Sequence, residues 1–463
     1  MPSGARSPKS SDRGSLATRR SEAGSALASG DASSARSLAE GILLDWPNDP
    51  ATREILAIAL AQTGHPAESL DLLDALLREK AGTGSAEGAA TNVPPRIHVH
   101  RANVLAMTGR TEEAIASYRT ALAQDPEQSG ALLNLASLEL ETGAWPDAAQ
   151  HLALLLEREP DNAAAHYTRG RLLHRIGETE EAEASYRRAV ELDPTKPNAW
   201  NNLGNVRKEL GRFEDAADCY ETALRLGLDR PALHHLVTAL RGRSLAKAEA
   251  SYVRELFDAY APRFDEDLVE KLGYRVPEDL AALIREVHPD RFASALDLGC
   301  GTGLLGRLLR ERCTRLTGVD LSAGMLERAA LSGVHDSLVE ADVVAFLEQT
   351  EQVFDLVAAT DVLIYVGDLE PLFRALRPRV APGGLIALST ESLEEGTFAL
   401  RPSGRFAHHR TYVTDLARGH GFVLAAVREA PCRRERGEIL AGELFLFAAP
   451  GSDTSEDAAA TSG

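Results

Sequence analysis

Three glycines at alternating positions, Gly299, Gly301 and Gly303, separate an apolar run from a helical pattern. Glycine lets the backbone turn tightly and approach a ligand closely. The helix that follows presents free N–H groups, which suit a carboxylate as well as a phosphate. Asp297 precedes the loop and Asp320 ends the next apolar run, LTGVD. These residue types in this order predict a ligand site at the loop.

The segment from Gly301 to Gly306 also satisfies the pattern GxGxxG, which dinucleotide-binding proteins use to hold a pyrophosphate. Such proteins place an acid for the ribose about 20 residues further on, and Asp320 lies near that distance. Two other residues argue against a nicotinamide dinucleotide. A carboxylate at Asp297 would repel a pyrophosphate but suit an amino group, and Asp342 can accept a hydrogen bond from an adenine amino group. A nicotinamide-dependent oxidoreductase remains the less favoured alternative.

A sheet must position these residues, because from Phe292 onward apolar strands alternate with helical patterns. The predicted strands are FASALDLG, LTGVD, SLVEADV, FDLVAATDVL, GGLIALSTE, FVLAAVREA and ELFLFAAP. This order predicts a doubly wound seven-stranded sheet that ends in an antiparallel hairpin. In such sheets, ligands bind at the carboxyl ends of the strands.

Five ordered blocks, LDLGCGTG, GVDLSAGML, EAD, FDLVAATDVL and PGG, resemble the class I S-adenosylmethionine-dependent methyltransferase family over roughly residues 290–449. The resemblance implies S-adenosylmethionine as the cofactor and no metal. It places around the methionine part Asp297, Leu298, Gly299, Cys300, Gly301 and Gly303. It assigns Asp320 to the ribose hydroxyls, and it sets around the adenine Leu321, Met325, Asp342 and Val343. Thr360 and Asp361 would lie beneath the sulfonium.

Aromatic and basic residues outside these blocks are candidates for a lid and for acceptor binding. Apolar residues recur at helical spacing just before the first strand, which indicates helices that close over the ligand. The candidates for the lid and the acceptor side are Tyr260, Phe264, Tyr274, Tyr365 and Arg405. His408 and His409 are candidates for a general base, since histidine titrates near neutral pH. The alternatives are aromatic packing onto the sheet and a polar surface loop.

The first half of the chain contains an internal repeat. Four windows align at a spacing of 34 residues, starting at Pro95, Ser129, Ala163 and Pro197. Position 15 is always glycine and position 20 always alanine, which predicts a turn between two closely packed helices. The pattern resembles the tetratricopeptide repeat family, with about six units in all. Groove positions hold Asn134, Asn202 and Asn205, which we expect to bond the backbone of a bound peptide.

These patterns predict a multidomain chain, an N-terminal all-α tetratricopeptide repeat solenoid followed by an α/β Rossmann-like seven-stranded methyltransferase domain. The predicted division is a disordered leader (1–15), the repeat array with a capping helix (16–242, strongest over 95–230), connector or lid helices (243–290), the methyltransferase domain (291–449) and a disordered tail (450–463). The predicted function is methyl transfer to an undetermined small-molecule or protein acceptor, with the repeats binding a protein or peptide. The alternative is an interaction scaffold that binds the cofactor without catalysis.

Composition limits the partners and the compartment. A net charge of −19 repels phosphate backbones, so nucleic acid is not expected. No stretch of the sequence reaches the apolar length of a membrane span, roughly 18 to 20 residues. The four cysteines are scattered without metal-ligand spacing, which predicts neither a disulfide framework nor a zinc site and favours a cytoplasmic location.

Overall fold

The computed structural model describes residues 10–81, 94–243, 245–266, 274–435 and 438–451. The chain divides into two compact units, Met1–Pro194 and Thr195–Gly463. The dividing point lies inside the repeat array. The last predicted repeat and its capping helix therefore belong to the same unit as the sheet.

The first unit is all helical over its described residues and consists of consecutive helix pairs. The helices are α1 (Ser10–Ala28), α2 (Ala32–Asp45), α3 (Pro50–Gln62), α4 (Pro66–Ala81), α5 (Pro95–Met107), α6 (Thr111–Gln124), α7 (Ser129–Thr142), α8 (Trp145–Arg158), α9 (Ala163–Arg175) and α10 (Thr179–Leu192). Helix α1 begins at Ser10, within the range 1–15 that the sequence analysis assigned to a disordered leader. Residues 1–9 and 82–93 lie outside the described residues.

The periodic glycines and alanines have the predicted geometry. Glycine at position 15 has a positive φ in all four windows, for example +83° at Gly143 and +86° at Gly177. Alanine at position 20, such as Ala148, is fully buried between paired helices. In the third window a Cβ on Gly170 would lie 2.7 Å from the Tyr186 ring, so glycine there makes room for the aromatic side chain. The spacing of 34 residues thus reflects turn conformation and side-chain size.

Two of the groove asparagines make hydrogen bonds within the repeats, and their contact with a peptide stays a prediction. Asn134 donates to the side-chain oxygen of Asn103 over 3.0 Å. The same oxygen accepts from the Tyr118 hydroxyl. Asn205, in the second unit, accepts from the Tyr220 hydroxyl at 2.8 Å. Because the aromatic and the asparagine recur together, their hydrogen bonds stabilise the helix pairs.

The second unit starts with one helix pair and a capping helix and continues into a sheet flanked by helices. Its helices are α11 (Pro197–Glu209), α12 (Phe213–Arg225), α13 (Pro231–Leu240), α14 (Ala250–Tyr260), α15 (Val276–Val287), α16 (Leu304–Leu309), α17 (Ala323–Ser332), α18 (Val343–Gln349), α19 (Glu370–Leu376) and α20 (Arg410–Gly419). Its strands are β1 (Phe292–Leu298), β2 (Cys313–Asp320), β3 (Ser337–Glu340), β4 (Phe354–Ala359), β5 (Val380–Ser392), β6 (Phe398–Leu400), β7 (Phe406–His408), β8 (Val423–Glu435) and β9 (Glu438–Ala448).

The sheet is a parallel core extended by an antiparallel hairpin. Strands β3, β2, β1, β4 and β5 are parallel neighbours in that order. Strand β9 pairs antiparallel with both β5 and β8, which confirms the predicted late hairpin. The described residues contain nine strands and not the predicted seven, because β6 and β7 form a small extra hairpin. Three residues per strand are too few to show a period in the sequence.

Alternating side chains of the sheet enter two apolar cores. Leu296 and Leu298 of β1 belong to one buried cluster, and Phe292 and Ala295 belong to another. Successive side chains of a strand point to opposite faces, so both faces of the sheet are covered. Burial on both faces leaves the strand ends as the place for polar groups to meet a ligand.

The described residues also bear on membrane spans, metal sites and cysteines. Among the described residues, no helix is both long and apolar enough to cross a membrane. Within the same ranges, no group of three or more His, Cys, Asp or Glu side chains is arranged to hold a metal ion. Cys219, Cys300 and Cys313 are buried free thiols. The side chain of Cys432 and the tail from residue 452 lie outside the described residues.

Candidate cofactor and acceptor site

A cavity of about 370 Å³ lies at the carboxyl ends of β1, β2 and β4, within the second unit. Its volume is in the range of ligand pockets, and its walls are mainly apolar. Among the described residues that line it, five are charged: Lys247, Asp320, Asp342, Asp361 and Arg405. The cavity therefore combines apolar surface with a few charges, as small-molecule sites do.

Most residues predicted from the sequence meet in this cavity. It is lined by Gly299, Cys300, Gly301, Asp320, Leu321, Met325, Asp342, Val343, Thr360, Asp361, Tyr260, Phe264, Tyr274, Tyr365 and Arg405. Five predicted residues are not among its lining residues: Asp297, Leu298, Gly303, His408 and His409. The first group was predicted in separate blocks of sequence, and the fold brings these blocks to one edge of the sheet.

The glycine loop needs glycine for conformation and for space. Gly299, Gly301 and Gly303 have φ values of +64°, +53° and +90°. A Cβ on Gly299 would lie 2.1 Å from Cγ2 of Val362, so a larger residue cannot fit without displacing the wall. Gly303 does not line the cavity and instead precedes the first turn of α16. The loop thus presents bare backbone to the cavity.

Asp320 is the buried acid of the site. One of its oxygens accepts from the Gly301 N–H at 2.9 Å and the other from the Ser322 N–H at 2.9 Å. Burial raises the pKa of this carboxyl, and the two N–H donors oppose that effect. A carboxylate has lone pairs for about four hydrogen bonds, so Asp320 keeps acceptor capacity toward the cavity.

Asp342 joins the cavity wall to the connector. Its Oδ1 caps α18 by accepting from the N–H groups of Val344 and Ala345 at 3.1 and 3.2 Å. Its Oδ2 accepts from the ammonium of Lys247, a lining residue that the sequence analysis missed. Lys247 lies just before α14 in sequence, where the helical pattern alone gives no reason to single it out.

Asp297 does not have the predicted place beside a ligand amino group. Its side chain is buried in β1, and Oδ2 lies 3.1 Å from Nε2 of His335. Both side chains are at most 1% exposed, so the pair belongs to the interior. The prediction that Asp297 faces the cofactor is corrected, because Asp297 lies within the strand and His335 covers it. Leu298 is likewise buried in an apolar cluster.

The two histidines predicted as general bases have structural contacts. His408 is fully buried, and its Nε2–H donates to the carbonyls of Val366 and Gly367 at 2.9 and 3.0 Å. Burial lowers the pKa of His408 to about 4. His409 caps α20, where its Nδ1 accepts from the Thr411 N–H at 3.2 Å. Neither ring lines the cavity, so the prediction of a histidine base is corrected.

The opposite end of the cavity is formed by Tyr365 and Arg405. The Arg405 guanidinium lies within electrostatic reach of the Tyr365 hydroxyl, Glu391 and Asp361. Asp361 has a φ of +55°, uncommon for a residue other than glycine. Its backbone N–H donates to the Ser389 hydroxyl at 2.8 Å, which holds the turn after β4.

The capping helix α13 packs directly behind this end. His235 is 4% exposed, and its Nε2–H donates 2.8 Å to the carbonyl of Gly404, the residue before Arg405. The His235 ring stacks on Tyr252 at 4.3 Å between ring centroids. Tyr252 meets Tyr365 edge-on at 6.5 Å. Residues of the capping helix and α14 therefore support both side chains of this end, a role that the sequence did not indicate.

Two aspartates of the connector fasten it to the sheet. Asp258 of α14 accepts from the Ser322 hydroxyl at 2.5 Å and from the Gly324 N–H at 3.2 Å, at the start of α17. Asp265 accepts from the hydroxyl of Thr302 in the glycine loop. The described residues of the connector thus contact the start of α17 and the glycine loop, and their role as a lid stays a prediction. Residues 267–273 of the predicted connector lie outside them.

Two family models match the chain. The model described as "Cilia and flagella-associated protein 70 C-terminal domain" matches residues 25–265. The model described as "Methyltransferase domain" matches residues 296–386. The first match covers the repeats, the capping helix and the start of the connector, and the second covers β1 through the start of β5.

Curated relatives match less than a third of the chain. A malonyl-[acyl-carrier protein] O-methyltransferase of Salmonella typhimurium is 34% identical over 142 residues, which is 30% of this chain and 56% of the relative. A trans-aconitate 2-methyltransferase of Paracidovorax citrulli is 36% identical over 108 residues, 23% of this chain and 42% of the relative. The chain thus spans about half the length of the curated relatives that it matches.

Solved structures of two kinds are similar to this chain. The N-methyltransferase NodS from Bradyrhizobium japonicum WM9, in complex with S-adenosyl-L-homocysteine, has 21% identity and a TM-score of 0.32, covering 37% of this chain and 86% of that one. A tetratricopeptide repeat protein from Parabacteroides merdae has 19% identity and a TM-score of 0.38, covering 49% of this chain and 84% of that one.

Proposed function

We propose that this chain, which belongs to the cilia and flagella-associated protein 70 C-terminal domain family over residues 25–265, is a tetratricopeptide repeat protein that carries an active S-adenosylmethionine-dependent methyltransferase. The observation that carries the proposal is Asp320, held by two backbone N–H groups beside the glycine loop and facing the cavity. A carboxylate held in this way suits the two hydroxyls of a ribose.

The cavity fits an adenosyl group with an attached sulfonium. Leu321, Met325 and Val343 provide apolar surface for a flat base next to Asp320. The glycine loop leaves space for the amino-acid part, because a Cβ on Gly299 would collide with the wall. Asp361 lies on the same wall and contributes negative charge, which favours a positively charged ligand.

S-adenosylmethionine would supply an electrophilic methyl group, and the residues of this chain would bind and orient the cofactor and the methyl acceptor. Asp320 would hold the ribose, while Asp342 and Lys247 would border the adenine edge. Tyr260, Phe264 and Tyr274 of the connector would keep water from the reacting atoms, since these aromatic side chains line the cavity. Positioning supplies most of the rate in such a displacement.

The methyl acceptor belongs at the end of the cavity formed by Tyr365 and Arg405. The curated relatives include methyltransferases named for malonyl-[acyl-carrier protein] and for trans-aconitate. The alignments cover 30% and 23% of this chain, so their acceptors reach this chain only as a proposal. We infer an oxygen acceptor, on a small molecule or on a protein.

Calorimetric titration with S-adenosylmethionine and with NAD tests the proposal. We expect S-adenosylmethionine alone to bind, and Asp320→Ala to weaken binding by about 100-fold, since a buried carboxylate that bonds a ligand contributes several kcal/mol. Asp355→Ala is the matched control. This acid also accepts from a backbone N–H, that of Ser294 at 2.8 Å, but it lies at the opposite end of the sheet.

Other results of the titration would support the alternatives. Binding of NAD in place of S-adenosylmethionine would indicate an oxidoreductase. Binding without release of a methyl group to any acceptor in a labelled extract would favour a scaffold. An equal loss in Asp320→Ala and Asp355→Ala would mean that both variants act through folding, and the proposed ribose contact would then be wrong.

We also infer that the repeats of the first unit bind a protein or peptide partner on the face formed by the first helix of each pair. The family match over residues 25–265 supports a recognition role for the repeats. Arg171 on α9 is a half-buried side chain of that face, and Arg188 on α10 is its counterpart on the second helix. We expect Arg171→Glu to abolish binding to a peptide array and Arg188→Glu to preserve it. The reverse result would place the partner on the second helices.

A further inference from the structure

Apolar and aromatic side chains surround the guanidinium at the acceptor end of the cavity. Ile364 and Tyr365 are buried there, and Val253 and Phe257 of α14 pack against them. The Phe257 and Tyr365 rings meet edge-on, with 5.4 Å between centroids. Arg405 lines the cavity beside this surface. The acceptor end therefore offers one cation within a largely apolar wall.

The charges around Arg405 are already balanced within the protein. Glu391 lies 3.5 Å from the guanidinium of Arg401, so it is shared between two arginines. Asp361 supplies a second negative charge near Arg405. Two guanidiniums and two carboxylates therefore act electrostatically on one another in this region. A cofactor and an acceptor whose charges cancel fit this arrangement better than a cofactor and an acceptor that together add a charge.

We propose that the methyl acceptor is an apolar carboxylic acid whose carboxylate binds Arg405 and the Tyr365 hydroxyl. This inference rests on the proposed function and specifies its acceptor. Tyr365 lines the cavity within electrostatic reach of Arg405, so its phenolic hydrogen can serve as a second donor beside the guanidinium. A guanidinium with an adjacent hydroxyl matches the two oxygens of a carboxylate. The apolar wall receives the chain or ring of the acid.

The chemistry of the step agrees with the residues present. A carboxylate oxygen forms a bond to the methyl carbon while the carbon–sulfur bond breaks and its electron pair stays on sulfur, which yields a methyl ester and S-adenosylhomocysteine without moving a proton. Such an acceptor needs no general base. No histidine occurs among the described residues that line the cavity. The negative acceptor and the positive sulfonium together leave the balanced charges unchanged.

Binding experiments on the full chain saturated with S-adenosylhomocysteine test this inference. The probes are octanoate and benzoate, each compared with its uncharged isostere, octanamide or benzamide. We expect each carboxylate to bind at least about tenfold more tightly than its amide, since a charge-assisted bidentate contact is roughly twice as strong as a neutral one. Arg405→Met should remove that preference, and Arg405→Lys should retain part of it.

Arg401→Met is the matched control. Arg401 also contacts Glu391, but it does not line the cavity, so the preference for carboxylates should persist. The affinity for S-adenosylhomocysteine should stay within about twofold in all variants, which shows that each is folded. Equal binding of acid and amide to the wild-type protein would overturn the inference even if Arg405→Met does not fold.

Two further results would have separate meanings. A large loss of S-adenosylhomocysteine affinity in Arg405→Met would assign the guanidinium to the cofactor carboxylate and overturn the inference about the acceptor. Failure of the wild-type protein to bind S-adenosylhomocysteine would instead overturn the proposed function itself. The two failures are therefore distinguishable in one series of titrations.

Discussion

The cofactor end and the acceptor end of the cavity are built in different ways. At the cofactor end, Asp320 and Asp342 follow strand ends and are held mainly by backbone N–H groups a few residues away or on the adjoining loop. At the acceptor end, Arg405 follows a glycine whose carbonyl is bonded by His235, 169 residues earlier in the chain. One end rests on local backbone geometry, and the other rests on packing between distant segments.

This difference determines which end of the cavity can change its ligand specificity. The glycine loop binds the cofactor in a single backbone conformation, so substitutions within this loop should abolish cofactor binding. Side chains that are held by packing can be repositioned by changes in their neighbours, and such changes should alter the acceptor while leaving the cofactor bound. The four predictions below test whether the two ends respond independently.

Gly299→Ala should have the largest effect, at the cofactor end. The added Cβ would meet Val362 at 2.1 Å, and the φ of +64° is strained for any other residue. We expect S-adenosylmethionine affinity to fall by more than about 100-fold in calorimetry, roughly 3 kcal/mol. Gly396→Ala is the control, because Gly396 also has a positive φ but a Cβ there meets nothing within 4 Å. Similar losses in both variants would contradict a specific role of the glycine loop.

His408 should make the acceptor end sensitive to acid. Burial lowers its pKa to about 4 from an ordinary value of 6.5. The folded protein therefore binds the proton less well than the unfolded chain does. The stability contribution is present above pH 6.5 and is lost as the pH falls toward 4, by roughly 3 kcal/mol in total.

Thermal unfolding at several pH values measures this effect. The transition to follow is the one that S-adenosylhomocysteine raises, because a ligand stabilises the unit that binds it. His408→Gln keeps a donor for the carbonyls of Val366 and Gly367 but does not titrate in this range. We expect its transition to decline less steeply with acid than that of the wild type. Parallel declines would show that other groups cause the acid sensitivity.

The sequence predicted the cofactor end better than the acceptor end for a physical reason. The glycine loop depends on the conformational freedom of glycine, and Asp320 depends on its place at the end of a strand. Both features can be recognised from the local sequence. The 34-residue repeat was readable for the same reason, since glycine and alanine recur at fixed points. The His235–Gly404 contact depends on how a helix packs, which no local pattern records. Asp297 was assigned wrongly because its partner His335 lies 38 residues away.

His235→Leu should have a moderate effect, confined to the acceptor end. Leucine cannot donate to the Gly404 carbonyl, so the turn before Arg405 loses a buried hydrogen bond of roughly 1 to 2 kcal/mol. We expect faster hydrogen exchange at the Gly404 amide, with S-adenosylhomocysteine affinity unchanged. The control is His234→Leu, since His234 is exposed on the same helix and pairs with Asp229. A loss of cofactor affinity in His235→Leu would show that the two ends are coupled.

Lys247→Met should have the smallest effect, at a contact between the connector and the cofactor end. The Lys247 ammonium bonds Asp342, but both side chains are partly exposed, at 37% and 25%. Pairs in such surroundings contribute little, about 1 kcal/mol or less. Asp342 also keeps its N–H donors from Val344 and Ala345 when lysine is removed.

We therefore expect Lys247→Met to weaken S-adenosylmethionine binding by no more than about fivefold, and added salt to reduce the difference from the wild type. Lys247→Arg, which keeps the charge, should behave as the wild type. A loss as large as that of Gly299→Ala would mean that the cofactor end depends on the connector as strongly as on its own backbone. The cofactor end would then also rest on contacts between distant segments, because Lys247 and Asp342 lie 95 residues apart in the chain.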